Sequence, residues 1–283
     1  MAERKSCRMD DAELVQQQRE SLWLDGHRGI YTVADALSFM REVCLALRYG
    51  AASNLPIASV YRATQRQVPV PEDEKTAHAR AFELTNGMLA TGTVVEINLI
   101  ADRLCLVHEE IMAPIYALRR GGREPSLSHA ARQAFAFIVA NEHATNGDIR
   151  RLLRSEGQKR PDSADLALAE LQRELLIDRG PSAGPTTGVF YLTREGYPYR
   201  VFASSHSAVV SSASCLGREE AAAQCLTNYL SAARFATRRN LARLFQLLVS
   251  VEEIDHTIQL LIDSDHAHLS RLGKNEVIVY DAG

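Results

Sequence analysis

One order of signals occurs twice in the C-terminal half of the chain. A helix, a second short helix with an Arg-rich face, a third capped helix and a Gly-punctuated β-hairpin begin near Ser128 and again near Arg218. The offset of about 90 residues is the length of one small domain; identity between the copies is low, and what recurs is the order of caps, apolar periodicity and turn residues. Three helices closed by a hairpin is the order of a winged helix, a fold that mostly binds nucleic acid or protein and seldom carries chemistry itself. The expected fold class is mainly α with small β-hairpins (α+β). Tandem winged-helix domains over 126–203 and 217–283 follow a helical N-terminal domain over 30–118, alternatively a degenerate winged helix, and a flexible arm over 1–29.

Local patterns support that division. Thr32 with Asp35 opens a helix by a capping-box arrangement, and Ala36, Phe39, Met40, Val43 and Leu47 give it one apolar stripe up to Gly50. A second helix follows Pro56, and a third is expected over 73–90. Val94 to Ala101 fits a strand or a further helix, because a continuous apolar run has no deciding period. Ile111 to Leu118 reads as helical, and Gly121-Gly122 with Pro125 marks a linker. In the first copy Asn146 caps a helix with Ile149, Leu152 and Leu153 inward and Arg150, Arg151 and Arg154 on the other face. Ser163 caps the next helix, and the Gly180 to Gly188 loop is the wing, expected to be mobile. A Ser-rich stretch, Ser204 to Ser214, crosses to the second copy. There Thr237 caps a helix bearing Arg238, Arg239 and Arg243, Ser250 with Glu253 forms a capping box, and Gly273-Lys274-Asn275 turns the last hairpin.

Composition narrows the function classes. The 283 residues are 46% hydrophobic and 24% charged with a formal charge of -3, so the chain is globular and does not coat nucleic acid by bulk charge. Five scattered cysteines without C-x-x-C spacing read as free thiols in a reducing cytoplasm. No apolar run of about 18 residues is present, so no membrane partner is expected. Walker and Rossmann loops, the G-x-S-x-G elbow and H-E-x-x-H are absent, so no cofactor is expected. The run Asp263, Asp265, His266 and His268 reads as a polar turn rather than a metal site, and His108 with Glu109-Glu110 as a solvated helix start.

Arginine suits bidentate phosphate contact, which makes Arg150, Arg151, Arg154, Arg238, Arg239 and Arg243, with Lys274 in the second wing, the candidate clamps for duplex DNA. The alternative is ordinary surface charge. The third helices carry Asp165, Glu170 and Glu174 in one copy and Glu252, Glu253 and Asp255 in the other. Carboxylates on a groove-facing helix repel phosphate, so either these helices do not enter the major groove or the modules bind a protein partner.

The strings Leu55-Pro56-Ile57-Ala58-Ser59-Val60-Tyr61-Arg62-Ala63, Ala113-Pro114-Ile115-Tyr116-Ala117-Leu118 and Ala167-Leu168-Ala169-Glu170-Leu171-Gln172 together resemble bacterial proteins related to the AlkZ-type DNA glycosylases. The resemblance would span most of residues 30–283. It implies tandem winged helices and a role in releasing alkylated or crosslinked bases. The family's Gln-x-Gln motif has Gln65-Arg66-Gln67 as its comparable string, with Arg66 where the family prefers an apolar residue. Gln65 and Gln67 are thus the catalytic candidates if the chain is an enzyme, and the departure at Arg66 points to a divergent, non-catalytic relative.

Overall fold

In a computed structural model, the described residues are 11–24, 28–50, 55–65, 74–100, 103–159, 161–181 and 196–281. After α1 (Asp11–Ser21), the first unit runs through α2 (Val33–Val43), β1 (Leu45–Leu47), β2 (Ala58–Ser59), α3 (Val60–Gln65), α4 (Glu74–Thr91), β3 (Val94–Ile100) and β4 (Arg103–His108). The helix α5 (Glu109–Arg120) leads to the second unit: α6 (His129–Ala140), α7 (Asn146–Leu152), α8 (Ser163–Arg173), β5 (Ile177–Arg179) and β6 (Tyr199–Val201). Two short helices follow, α9 (Phe202–Ser205) and α10 (Ser207–Ala213). The third unit is α11 (Arg218–Ala233), β7 (Phe235–Ala236), α12 (Arg238–Phe245), α13 (Val251–Asp263), β8 (Ala267–Leu272) and β9 (Asn275–Tyr280).

The order helix, short strand, helix, helix, hairpin therefore occurs three times. In each unit the segment after the first helix pairs antiparallel with the second strand of the hairpin: β1 with β4, Thr145 with Pro198 just ahead of β6, and β7 with β9. The turn out of the third helix is also shared. Gly92, Leu175 and Asp265 each have positive φ, each stand two residues ahead of the hairpin, and each donate their N–H to the carbonyl three residues back. Left-handed backbone at a leucine and an aspartate is uncommon, so the tertiary pairing of hairpin on helix imposes it. The N-terminal region thus has the same order of elements as the other two units, with β2 added parallel to β1.

Capping explains most helix starts. Thr32, Thr237 and Ser250 accept the N–H bonds expected of them, with reciprocal carboxylates at Asp35 and Glu253, and Ser128 caps α6 in the same way. In α7 and α8 the cap lies one residue earlier than the sequence suggests, at Thr145 with Asp148 and at Asp162 with Asp165. Other expectations need correction. The Ser-rich stretch is not a bare connector but carries α9 and α10, which pack on α5. The arm is anchored rather than loose from Asp11 onward. Gln18 donates to the carbonyls of Ala233 and Phe235 at 2.8 Å each, Leu14 packs with Phe235, Val277 and Val279, and Trp23 lies edge-on to Phe39. The tip of the wing between Gly180 and Gly188 lies outside the described residues from 182 onward.

Packing does not respect the unit boundaries. A single apolar core joins the first unit, α5 and the third unit, from Leu22 through Ile115 and Tyr229 to Ile278, whereas the second unit has its own core around Ala134, Ile149, Leu168 and Ile177. Strand β3 is buried along its whole length. One face belongs to its own unit, and α8, β5 and α12 close over it. That explains why its sequence has no alternation: a strand covered on both faces needs no polar side.

Helix α4 crosses α2 closely at Gly87, where an added Cβ would lie 2.4 Å from Val33 Cγ2. Alanine there gains helix propensity of about 1 kcal/mol, but Val33 is β-branched and cannot swing aside, so overpacking wins. Gly87→Ala is expected to lower stability by roughly 1–2 kcal/mol in urea denaturation, and Val33→Ala in the same chain should recover part of the loss. The capping carboxylates predict an acid response. Thr145 holds the Asp148 carboxyl below its ordinary range through a side-chain hydrogen bond, and the Arg218 guanidinium, with the Ser250 N–H, does so for Glu253. A folded-state value below the unfolded one means the stabilisation is present above the unfolded pKa, near 4, and is lost as pH falls through the depressed folded value. Urea midpoints should therefore drop from about pH 5 downward, and Glu253→Gln should flatten that drop.

Candidate nucleic-acid interface

The cations expected to hold phosphate fall into two groups. Arg150 is not on the open face of α7 but is 4% exposed, its Nε 2.9 Å from Asp162 and one Nη 2.6 Å from Asp165. Leu152, expected inward, is 40% exposed instead. The phase of the short helix is set by this buried ion pair together with Ile149, and Arg150 is a bolt between α7 and α8 rather than a clamp. Arg238 is half-exposed but engaged, 2.8 Å from Asp255 on α13 and 3.8 Å from Glu276 on β9.

The second group is available. Arg151 is exposed and leans on Asp148 of its own helix, a contact of low worth in water. Arg154, Arg239 and Lys274 are exposed and Arg243 half-exposed, and none of the four has an ion pair among the described residues. Arg151 borders an open hollow of about 360 Å³ beside α7, also lined by Gly147, Arg150, Ser155, Glu156, Gly157, Gln158 and Asp162. Its lining is mostly polar backbone and side chain.

The acidic third helices are less free than their sequences suggest. Asp165 serves the cap of α8 and binds Arg150, and Glu170 takes the N–H and Oγ of Ser128 at 2.7 Å each. Glu253 serves the cap of α13 and binds Arg218, and Asp255 binds Arg238. Helix α8 is also packed against β3, and Asn98 Nδ2 lies 3.5 Å from the Ala169 carbonyl. That side of α8 is closed to a DNA groove.

Gln65 is the last residue of α3, exposed, with its Nε2 donating to the Tyr61 hydroxyl at 2.6 Å. Gln67 lies outside the described residues. His108 caps α5, its Nδ1 accepting from the Glu110 N–H at 3.5 Å, and burial pushes its pKa down. Of the run read as a polar turn, His268 lies on β8 instead, its Nδ1 2.8 Å from Asp281, and no group of three or more metal-ligating side chains converges among the described residues.

A charged cluster that the sequence did not flag lies between the first and second units. Glu96, on β3 and 1% exposed, is flanked by two guanidinium groups: Arg48, just past β1, forms an ion pair with its Oε1, and Arg179, ending β5, brings Nε to 2.8 Å from Oε2. The Arg179 Nε–H is not aligned on that oxygen, and among the described residues its two Nη groups have no hydrogen-bond acceptor, while Glu96 Oε2 and Asp178 Oδ1 are likewise unpaired. Arg179 lies over the Tyr197 ring at 4.0 Å, and Arg48 sits between the Tyr49 and Phe82 rings. Burial and the nearby Arg48 charge both push the Arg179 pKa down. Beside the cluster, Asp178 binds Arg200 at 2.6 Å and His206 at 3.0 Å. A charged residue inside the apolar run Val94–Ile100 was the one available sequence signal, and Glu96 is that residue.

Among solved structures, the chain is similar to the Streptomyces sahachiroi DNA glycosylase AlkZ, with a TM-score of 0.56 over 94% of this chain and 68% of that one, at 14% identity. At that identity the likeness is one of fold. Neither a protein-family model nor a curated protein matches the chain.

Removing one partner of a buried ion pair leaves the other charge stranded, at a cost of about 3–5 kcal/mol. Arg150→Ala should therefore destabilise the chain by that order in urea denaturation, whereas Arg151→Ala should cost under about 1 kcal/mol.

Proposed function

We propose that the chain is a DNA-associated protein, related in role to DNA-repair glycosylases but not itself catalytic, that holds duplex DNA through its backbone. The observation that carries this is the set of unengaged cations, Arg154, Arg239, Arg243 and Lys274 with Arg151, on the second helices and last wing of two winged-helix units. The fold it shares with a protein named as a DNA glycosylase supports the same direction. In this reading the phosphates are held by positive charge on α7, α12 and the β8–β9 turn, and the third helices stay out of the major groove.

Two features favour a non-catalytic role. Gln65 is exposed and spends its amide on Tyr61, so it does not form part of a dry pocket able to activate water. Glu96, the deeply buried carboxylate, is 1% exposed and flanked by two arginines, so it does not face a space where a substrate proton could reach it. A protein-binding scaffold is the competing reading, favoured by the exposed apolar side chains Val139 and Leu166 on α6 and α8.

The decisive measurement is duplex binding at low salt together with base release from alkylated and crosslinked duplexes. Binding should appear without base release. A double variant, Arg154→Ala with Arg239→Ala, should weaken binding equally across sequences and flatten the log-log salt slope by about 0.9 per lost phosphate contact. Robust excision would sink the non-catalytic reading, and no binding at low salt would sink the DNA reading in favour of a protein partner.

A further inference from the structure

The helix α1 lies as a strap along the hairpin sheet of the third unit. Asp11, Leu14 and Gln18 stand at i, i+3 and i+7, which share one face of a helix, and each touches that sheet. The Asp11 carboxylate accepts from the Gly273 N–H at 3.0 Å, Leu14 packs on Phe235, Val277 and Val279, and the Gln18 amide donates to the Ala233 and Phe235 carbonyls. The strap therefore runs from the tip of the β8–β9 hairpin to β7. Its hold weakens toward the tip. Leu14 is buried and Gln18 half-buried, whereas Asp11 is exposed and begins the helix. First turns open at little cost, because their N–H groups have no partners within the helix.

The group that Asp11 holds is one that a phosphate oxygen would take. Leu272 pairs with Asn275, so Gly273 and Lys274 form a two-residue turn, with Gly273 at a φ of +58°. The bonds that close such a hairpin belong to the flanking pair, which leaves the Gly273 N–H outside the ladder. Space around it is open, since a Cβ built on Gly273 would meet nothing within 4 Å. Lys274, next in the turn, is exposed and has no ion pair among the described residues. A backbone N–H beside a lysine is a donor set suited to one phosphodiester. A carboxylate is its side-chain counterpart, one negative charge on acceptor oxygens. Asp11, Glu13 and Glu20 against Arg19 also leave α1 net negative alongside this tip.

We infer that α1 is an autoinhibitory strap: the Asp11 carboxylate occupies the position of a backbone phosphate at the Gly273-Lys274 tip, and duplex DNA binds there by displacing it. Only the first turn has to open. Leu14 and Gln18 stay in place, so Phe235, Val277 and Val279 remain covered. The last wing thus grips a duplex conditionally, since the phosphate must outcompete a carboxylate tethered beside it.

The inference rests on the DNA-associated reading, and fluorescence anisotropy with a matched duplex at low salt keeps the two apart. Asp11→Ala and Glu13→Ala remove the same charge from the same exposed turn, but only Asp11 bonds to the hairpin tip. Asp11→Ala should bind the duplex roughly fivefold to tenfold tighter than the wild type, the scale of one hydrogen bond to a charged group, and Glu13→Ala less than about twofold tighter. In a Lys274→Ala background the Asp11→Ala gain should fall to roughly half or less, because both residues act at one phosphate. The Gly273 amide resonance should also move when duplex is added to the wild type, which a change in bulk charge would not produce. Equal gains for Asp11→Ala and Glu13→Ala, or clear wild-type binding that neither variant improves, overturn the strap and leave the surface grip standing. Failure of the wild type and both variants to bind overturns the DNA-associated reading, and the strap with it.

Discussion

The fold turns on a carboxylate placed in the middle of a strand that is buried on both faces. Glu96 occupies β3, whose other residues pack the shared apolar core or lie under the second unit. An ionised carboxylate taken out of water with no partner would cost several kcal/mol, comparable to the whole stability of a small domain. It is tolerable only because Arg48 reaches it from its own unit and Arg179 from the next. The first and second units are therefore docked by an interaction whose loss from either side strands a charge. Hydrophobic burial between the units would be more forgiving of small displacements, whereas a flanked carboxylate fixes their register.

The two junctions in the chain differ in kind. The first and third units share one continuous apolar core, reinforced by Arg218, which donates to the Leu118 and Leu248 carbonyls at 3.0 Å while binding Glu253, and by Tyr229, whose hydroxyl donates to the Pro56 carbonyl at 2.7 Å. The second unit keeps a separate core and meets the first mainly through Glu96, Asn98 and the stacked rings of Phe82 and Tyr197. Polar inter-unit contacts are more easily exchanged for water or ligand than apolar ones. The polar junction is thus the boundary best able to adjust, while the apolar junction holds the frame.

Much of this was legible in the sequence, and the failures have physical causes. Caps are local, so Thr32, Thr237 and Ser250 could be read directly, and the three-helix-plus-hairpin order of the second and third units followed from such signals. The short strands β1 and β7 could not. Each follows a helix ended by a non-glycine residue at positive φ, Cys44 and Arg234, so the usual glycine stop is missing and the apolar stripe runs on into the strand. Arg150 was misplaced because helical periodicity assumes charge faces water, and the partners that draw it inward, Asp162 and Asp165, are on another helix. The cluster of Arg48, Glu96 and Arg179 was out of reach for the same reason: three residues from three strands or their ends, spread over most of the first 179 positions, are brought together only by the docking of two units.

The same bookkeeping of charges bears on how a net-negative chain can meet a polyanion. The acidic residues of α8 and α13 that stand against groove entry are largely committed to caps and to Arg150, Arg218 and Arg238, so folding neutralises those arginines and those carboxylates together. What remains unengaged on α7, α12 and the last turn is cationic. The third helices do not become base readers by this accounting, because β3 covers one side of α8 and Glu252 is exposed on α13. A duplex held by such a surface would be gripped by its backbone, with no means to read sequence in the major groove. Discrimination among DNAs would then have to come from sequence-dependent shape and deformability of the duplex, which a backbone grip can sense at positions it never touches.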